Sequence, residues 1–137
     1  MTISTEYLEK CIETLEKSYS LIKTVEENSI DYEIYRNSLV KGFEMTLEQS
    51  GKLLRKKLEL YFSSKKAVDA LTFKDLFRNA NKFGLLSTEE VNRWFEYRDN
   101  RNSTAHDYGQ AFAEETLKLM DKFLLDVKNL KVIVDNG

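Results

Sequence analysis

The stretch Arg101-Asn102-Ser103-Thr104-Ala105-His106-Asp107-Tyr108 gathers side chains that could do chemistry. His106 is the single histidine among 137 residues. It stands five positions after Arg101 and two before Tyr108. An imidazole gives and takes protons near neutral pH. A guanidinium is a permanent cation whose planar fork of donors suits phosphate. Together they are minimum equipment for work on a phosphodiester. Cleaving RNA without a metal needs a group that takes the 2′-OH proton, a group that protonates the leaving 5′ oxygen, and positive charge for the developing phosphorane. His106 can serve as acid or base and Arg101 as the clamp. One histidine per chain is thin for both proton roles, so a symmetric dimer that brings two motifs to one phosphate is the mechanistic expectation.

Spacing sets a condition on this pair. Five residues of ideal helix put Arg101 and His106 about 140° apart around the axis, poorly placed to share a ligand. Asn102 and His106, four apart, share a face, as do Arg101 and Tyr108, seven apart. The polar run over 100–104 therefore predicts a break that folds the two residues toward each other. Asn102 would then hold the loop or bind a phosphate oxygen. Glu44, a carboxylate flanked by Phe43 and Met45, is a supporting candidate that could orient an imidazole or pair with Arg101. Each has a structural alternative: Arg101 pairing with Asp99 or Glu96, Asn102 as a helix cap, Tyr108 as packing, Glu44 as a solvated acid.

The elements that must position these residues follow from composition and period. Hydrophobic residues make up 42% and charged residues 32%, with no proline and five glycines. So few breakers in a chain of globular composition predict an all-α fold. A first helix is expected over about 5–27, with Leu8, Cys11, Ile12, Leu15, Tyr19, Ile22 and Val25 at spacings of three and four. A long second one covers about 31–61, capped by Asp31, with an apolar stripe that includes Ile34, Tyr35, Leu39, Phe43, Leu47, Leu54 and Tyr61. Gly42 and Gly51 interrupt it and mark a bend or a close helix contact. A third opens at Thr72 and stops at Gly84. Ser87 to Glu90 reads as a capping box for a fourth, and a last helix covers about 109–134. The expectation is a single domain over 1–137, an antiparallel up-and-down bundle of about five helices with a four-helix core.

Charge and cysteine usage narrow the function. The formal net charge is −2, whereas a free-standing nucleic-acid binder usually carries a basic excess, so any RNA contact must be local or helped by a partner. Lys52, Arg55, Lys56 and Lys57 form a short basic stretch that could track RNA, though charge runs on amphipathic helices usually face water. Cys11 is single, which leaves no disulfide framework and no cysteine-based zinc site. The opening MTISTEYLEK lacks the apolar region of a signal peptide, and no apolar run approaches a membrane span. Cytoplasm is the expected location.

Arg101, four residues, His106, one residue and Tyr108 resemble the motif of the HEPN superfamily of small helical bundles. Residues 38–48, Ser-Leu-Val-Lys-Gly-Phe-Glu-Met-Thr-Leu-Glu, look like the Phe-Glu-aromatic-Thr core of the nucleotidyltransferase substrate-binding proteins. Residues 73–80 followed by Phe83-Gly84-Leu85-Leu86 resemble that family's middle segment. Trp94 and Arg101-Asn102 fall where it keeps a tryptophan and an Arg-Asn pair. The likeness runs from about residue 5 to 130. One departure is Gly51-Lys52, where the family usually has Trp-Lys.

The resemblance implies a chain encoded beside a minimal nucleotidyltransferase that binds it. In toxin–antitoxin pairs of this kind the HEPN partner is a metal-independent endoribonuclease, and the nucleotidyltransferase silences it by adding AMP groups to the motif tyrosine, here Tyr108. The catalytic set carried over is Arg101, Asn102 and His106, with RNA as substrate and with no cofactor, metal or membrane. The other reading of the family makes the chain a non-catalytic subunit that binds the substrate of the nucleotidyltransferase.

Overall fold

Apolar residues at helical spacing and well-placed caps produce a helical chain. A computed structural model describes residues 2–103 and 110–136, with side chains over 2–101 and 114–136. It holds α1 (Glu6–Ile22), α2 (Ile30–Leu58), α3 (Lys65–Asp69), α4 (Phe73–Lys82), α5 (Thr88–Ser103) and α6 (Gln110–Asp135), with a 3-10 turn at Glu59–Tyr61. Among the described residues there is no strand, and the all-α expectation holds.

Local chemistry sets most helix ends. Thr72 and Asp75 form a reciprocal capping box at the start of α4, and Ser87 and Glu90 form another at the start of α5. Gly84 follows α4 at φ 77, the left-handed conformation that glycine adopts without penalty. Two ends differ from expectation. The Leu21 carbonyl accepts both the amide and the hydroxyl of Thr24. This tightens the last turn of α1 and stops it at Ile22 rather than near residue 27. Ser29, not Asp31, caps α2, with its Oγ accepting from the Tyr32 amide at 3.1 Å. Asp31 instead sits in the first turn, where a negative charge suits the helix dipole.

Other differences are a matter of packing. The helix α3 has no counterpart in the sequence pattern: it is five residues long with Val68 its one buried side chain, too short for a period to show. Arg55 donates to the Val68 carbonyl at 2.7 Å and holds this turn to α2. Ile34 is exposed, because the buried line of α2 runs through Tyr32, Leu39, Val40 and Phe43 and leaves it to one side. Tyr61 is also exposed, stacked on Phe83 with ring centroids 4.7 Å apart.

Cross-links give the directions. Ser18 meets Ser38, and Gly42 faces Leu15, so α1 and α2 are antiparallel. Thr5 bonds Asp135 and Lys128 pairs with Glu16, so α1 and α6 are antiparallel as well. Arg93 meets Asp126 and Asn100 meets Thr116, which orders α5 against α6 in the same way. The up-and-down bundle therefore has α1, α2, α5 and α6 as its core, with α4 against α2 and α5. Its centre is aromatic: Phe43 lies on Phe123, Phe77 on Trp94 and Tyr97 on Phe123, all within 5 Å between centroids. A Cβ on Gly42 would sit 3.2 Å from a Leu15 methyl, so the absent side chain permits the close approach of α1 and α2.

A buried carboxylate joins α6 to α5. Asp126 is 3% exposed. Arg93 grips its two oxygens through Nε and Nη2, both at 2.8 Å, and the Tyr97 hydroxyl donates to Oδ2. Three donors from two residues compensate a carboxylate removed from water. The clamp bears on the region over 100–104, where the polar run predicts a break. Helix α5 instead continues through Ser103. Asparagine and serine are weak helix formers, but the Asn100 amide donates to Thr116 Oγ1 at 3.2 Å and Lys74 pairs with Asp99 at 2.8 Å. Tertiary bonds override the local preference.

Arg93→Ala leaves Asp126 buried without its bidentate partner and is expected to cost about 3 kcal/mol, read as a lower denaturation midpoint. A loss below about 0.5 kcal/mol would remove the clamp from any role in stability. Burial first, and then the bond to Asp126, push the Tyr97 hydroxyl far above its ordinary 10.0. Above about pH 10 the unfolded chain releases this proton while the folded chain keeps it, so stability falls as pH rises. Tyr97→Phe is expected to flatten this alkaline slope in denaturation measured from about pH 9 to 11.

Candidate functional site

Arg101 is half-buried on the last described turns of α5. It lines a cleft of about 300 Å³ with Glu44, Leu47, Glu48 and Arg98. The structure thus brings together two candidates from distant parts of the chain, Glu44 on α2 and Arg101 on α5. Glu44 is half-buried, and no ion pair holds it among the described residues. Asp99, one alternative partner for Arg101, is engaged by Lys74. Asn102 has helical backbone inside α5 rather than a cap position. Its side chain, together with His106 and Tyr108, lies outside the described residues. The bond from Asn100 to Thr116 draws together the two helices that flank the motif.

The cleft continues past Glu48 and Arg98 into a second one of about 230 Å³, which Lys52, Arg55 and Phe73 also line. At Gly51 the Phe73 ring fills the space: a Cβ there would lie 3.1 Å from two ring carbons. Phe73 carries Arg98 in turn, with the guanidinium carbon 4.9 Å from the ring centroid. Sequence reading missed Arg98. The available signal was its place three residues before Arg101, on the same helical face.

The basic stretch on α2 is not one solvated track. Lys57 is 4% exposed and its Nζ donates to the Asn136 carbonyl at 2.8 Å. Arg55 is tied to Val68, whereas Lys52 and Lys56 are exposed. Cys11 is buried, and burial pushes its thiol up from the ordinary range. Among the described residues no cluster of three or more His, Cys, Asp or Glu could hold a metal ion. No helix among them is long and apolar enough to cross a membrane.

Residues 5–134 match the family described as nucleotidyltransferase substrate binding protein like. A Haemophilus influenzae protein named "Probable ribonuclease HepT" is 33% identical, over 79% of this chain and 80% of that one. A solved Haemophilus influenzae structure is described as revealing the fold of a substrate binding domain of a nucleotidyltransferase. It matches with a TM-score of 0.79 at 25% identity, over 96% of this chain and 98% of that one. A Thermus thermophilus crystal structure shares the fold at a TM-score of 0.73 and 23% identity, over 93% and 98% of the two chains.

Because no ion pair holds Glu44 among the described residues, Glu44→Gln is expected to change folding stability by less than about 0.5 kcal/mol. A larger loss in thermal or urea denaturation would make Glu44 part of the fold rather than of the cleft's chemistry.

Proposed function

The chain belongs to the nucleotidyltransferase substrate binding protein like family, and from that premise we propose that it is a HEPN-type toxin, a metal-independent endoribonuclease paired with a minimal nucleotidyltransferase as its antitoxin. The observation that carries this reading is the Arg101, His106 and Tyr108 spacing within a chain similar, over most of its length, to a relative named as a ribonuclease. The protein acts as one domain in the cytoplasm and as a homodimer. Ile34 and Met45 on α2 and Leu125 and Val132 on α6 are exposed apolar side chains that a second copy can cover.

The reaction follows from the groups available. A 2′-oxygen attacks the adjacent phosphorus, the O2′–P bond forms, and the P–O5′ bond breaks to leave a cyclic phosphate and a free 5′-hydroxyl. His106 takes the 2′-OH proton, and the imidazole of the second copy protonates the leaving oxygen. Arg101 offsets the charge that grows on the phosphorane, assisted by Asn102. Glu44, across the cleft from Arg101, supports the orientation of these groups. Silencing is an attack by the Tyr108 hydroxyl on the α-phosphorus of ATP, which transfers AMP and releases pyrophosphate. The added bulk and negative charge, two residues from His106, repel the RNA backbone.

A second reading, a non-catalytic subunit that binds the substrate of a nucleotidyltransferase, is favoured by the description of the similar Haemophilus influenzae structure and by the net charge of −2. The two readings separate in one assay. Purified protein incubated with total RNA in EDTA is expected to cleave it, and His106→Ala or Arg101→Ala to lose about 100-fold or more of that activity. Intact RNA beside folded, dimeric wild type would leave the binding-subunit reading standing instead. With the nucleotidyltransferase and ATP, the intact mass is expected to rise by AMP groups in wild type and to stay constant in Tyr108→Phe.

A further inference from the structure

An acidic chain that cuts RNA must concentrate positive charge where the strand lies, and the cleft between α2 and α5 does so. Among the described residues, its two adjoining parts are lined by four cations, Lys52, Arg55, Arg98 and Arg101, against two carboxylates, Glu44 and Glu48. The whole chain has two more acidic than basic residues, so the cleft reverses the sign of the molecule. We infer that this cleft is the track for the RNA strand on one side of the cleaved bond, with Arg98 and Lys52 binding its phosphates. The inference rests on the ribonuclease reading and assigns residues to it outside the Arg-x4-His motif.

Arg98 is suited to this task. It stands one helical turn before Arg101, about 5–6 Å away between Cβ atoms, so the two reach neighbouring phosphates of one strand. No carboxylate lies within ion-pair distance of it among the described residues. Its guanidinium rests on the Phe73 ring. Stacking through the face fixes the plane of the group and leaves its edge donors for a ligand. Lys52 is exposed and likewise free of ion pairs among the described residues. Arg55 spends a donor on Val68 and contributes field rather than reach.

The length of the cleft accommodates a strand. From Glu44 to Arg55 it follows α2 for eleven residues, about 16 Å of helix, so that Lys52 and Arg98 can meet successive phosphates. Glu48, at the junction of the two parts, acts against the phosphates and moderates the affinity, so that a cleaved product can leave.

The test is binding of a labelled oligoribonucleotide fully methylated at its 2′-oxygens, which full-length dimeric protein cannot cleave, by fluorescence anisotropy across a salt series. Lys52→Ala and Arg98→Gln are each expected to weaken binding about tenfold and to lower the slope of log affinity against log salt by about one. Glu48→Gln is expected to tighten binding severalfold, the opposite sign, which a merely structural role would not give. Lys52 is exposed, so its variant keeps the fold, and circular dichroism checks Arg98→Gln. Wild-type affinity and salt slope in both cation variants, with cleavage of ordinary RNA intact, would overturn the track and leave the ribonuclease reading untouched. A wild type that neither binds nor cleaves RNA would end both. If millimolar ATP displaces the oligonucleotide completely and binds in a Lys52- and Arg98-dependent way, the cleft is a nucleotide site and the RNA assignment fails.

Discussion

Asp126 is a carboxylate taken out of water in the middle of α6, and the placement of α5 depends on how that charge is compensated. Arg93 and Tyr97, four residues apart, present one face to it and supply three donors. Burying a charge costs several kcal/mol unless its lone pairs are satisfied. A rotation of α5 about its axis would withdraw those donors, so the clamp sets the rotation. With Arg93 and Tyr97 turned to α6, Trp94 enters the aromatic core. Arg98 and Arg101 are then turned toward α2. A buried ion pair contributes less to stability than a well-packed apolar group of the same size. What it adds here is a single register between the two helices that flank the chemistry.

The other wall of the cleft is shaped by what is missing from α2. Gly51 has no side chain, Phe73 enters the space, and Arg98 lies on the Phe73 ring. A large residue at position 51 would displace the ring and with it the support of the guanidinium. Gly42 plays the matching part against α1, where Leu15 approaches the α2 backbone. The tail closes the arrangement: Asp135 accepts from Thr5 and the Asn136 carbonyl accepts from buried Lys57. Lys57 is thereby a structural donor, and the cations of that stretch that line the cleft are Lys52 and Arg55.

Composition and site are reconciled by distribution rather than by sum. Acidic residues such as Glu9 and Glu16 pair elsewhere, with Lys131 and Lys128, while among the described lining residues of the cleft cations outnumber carboxylates. Field lines concentrate in a cleft with low-dielectric walls, so the excess of two positive charges among its described residues would act on a phosphate strand more strongly than the net charge suggests. On the proposed ribonuclease reading, Arg101 at the end of such a cleft meets a phosphate already attracted from one side.

Residue order alone specifies most of the helices, their punctuation at Thr72, Ser87 and Gly84, and the Arg101, His106 and Tyr108 spacing on which the proposed function rests. Those are local matters: a period of three to four, a reciprocal hydrogen bond across three residues, a backbone that only glycine adopts cheaply. It misplaces the end of α1 and the cap of α2, where neighbouring Thr24 and Ser29 compete with plausible alternatives. It also puts Ile34 in the core, since a stripe cannot say which of two adjacent apolar residues faces inward. Packing between helices was needed to keep α5 helical through Ser103, to bury Asp126, and to bring Glu44, Arg98 and Arg101 to one cleft. Asp126 stands among Leu125 and Val127 like any acid on an amphipathic helix. Its partner Arg93 lies 33 residues away, and no local pattern encodes which helix supplies the compensating charge.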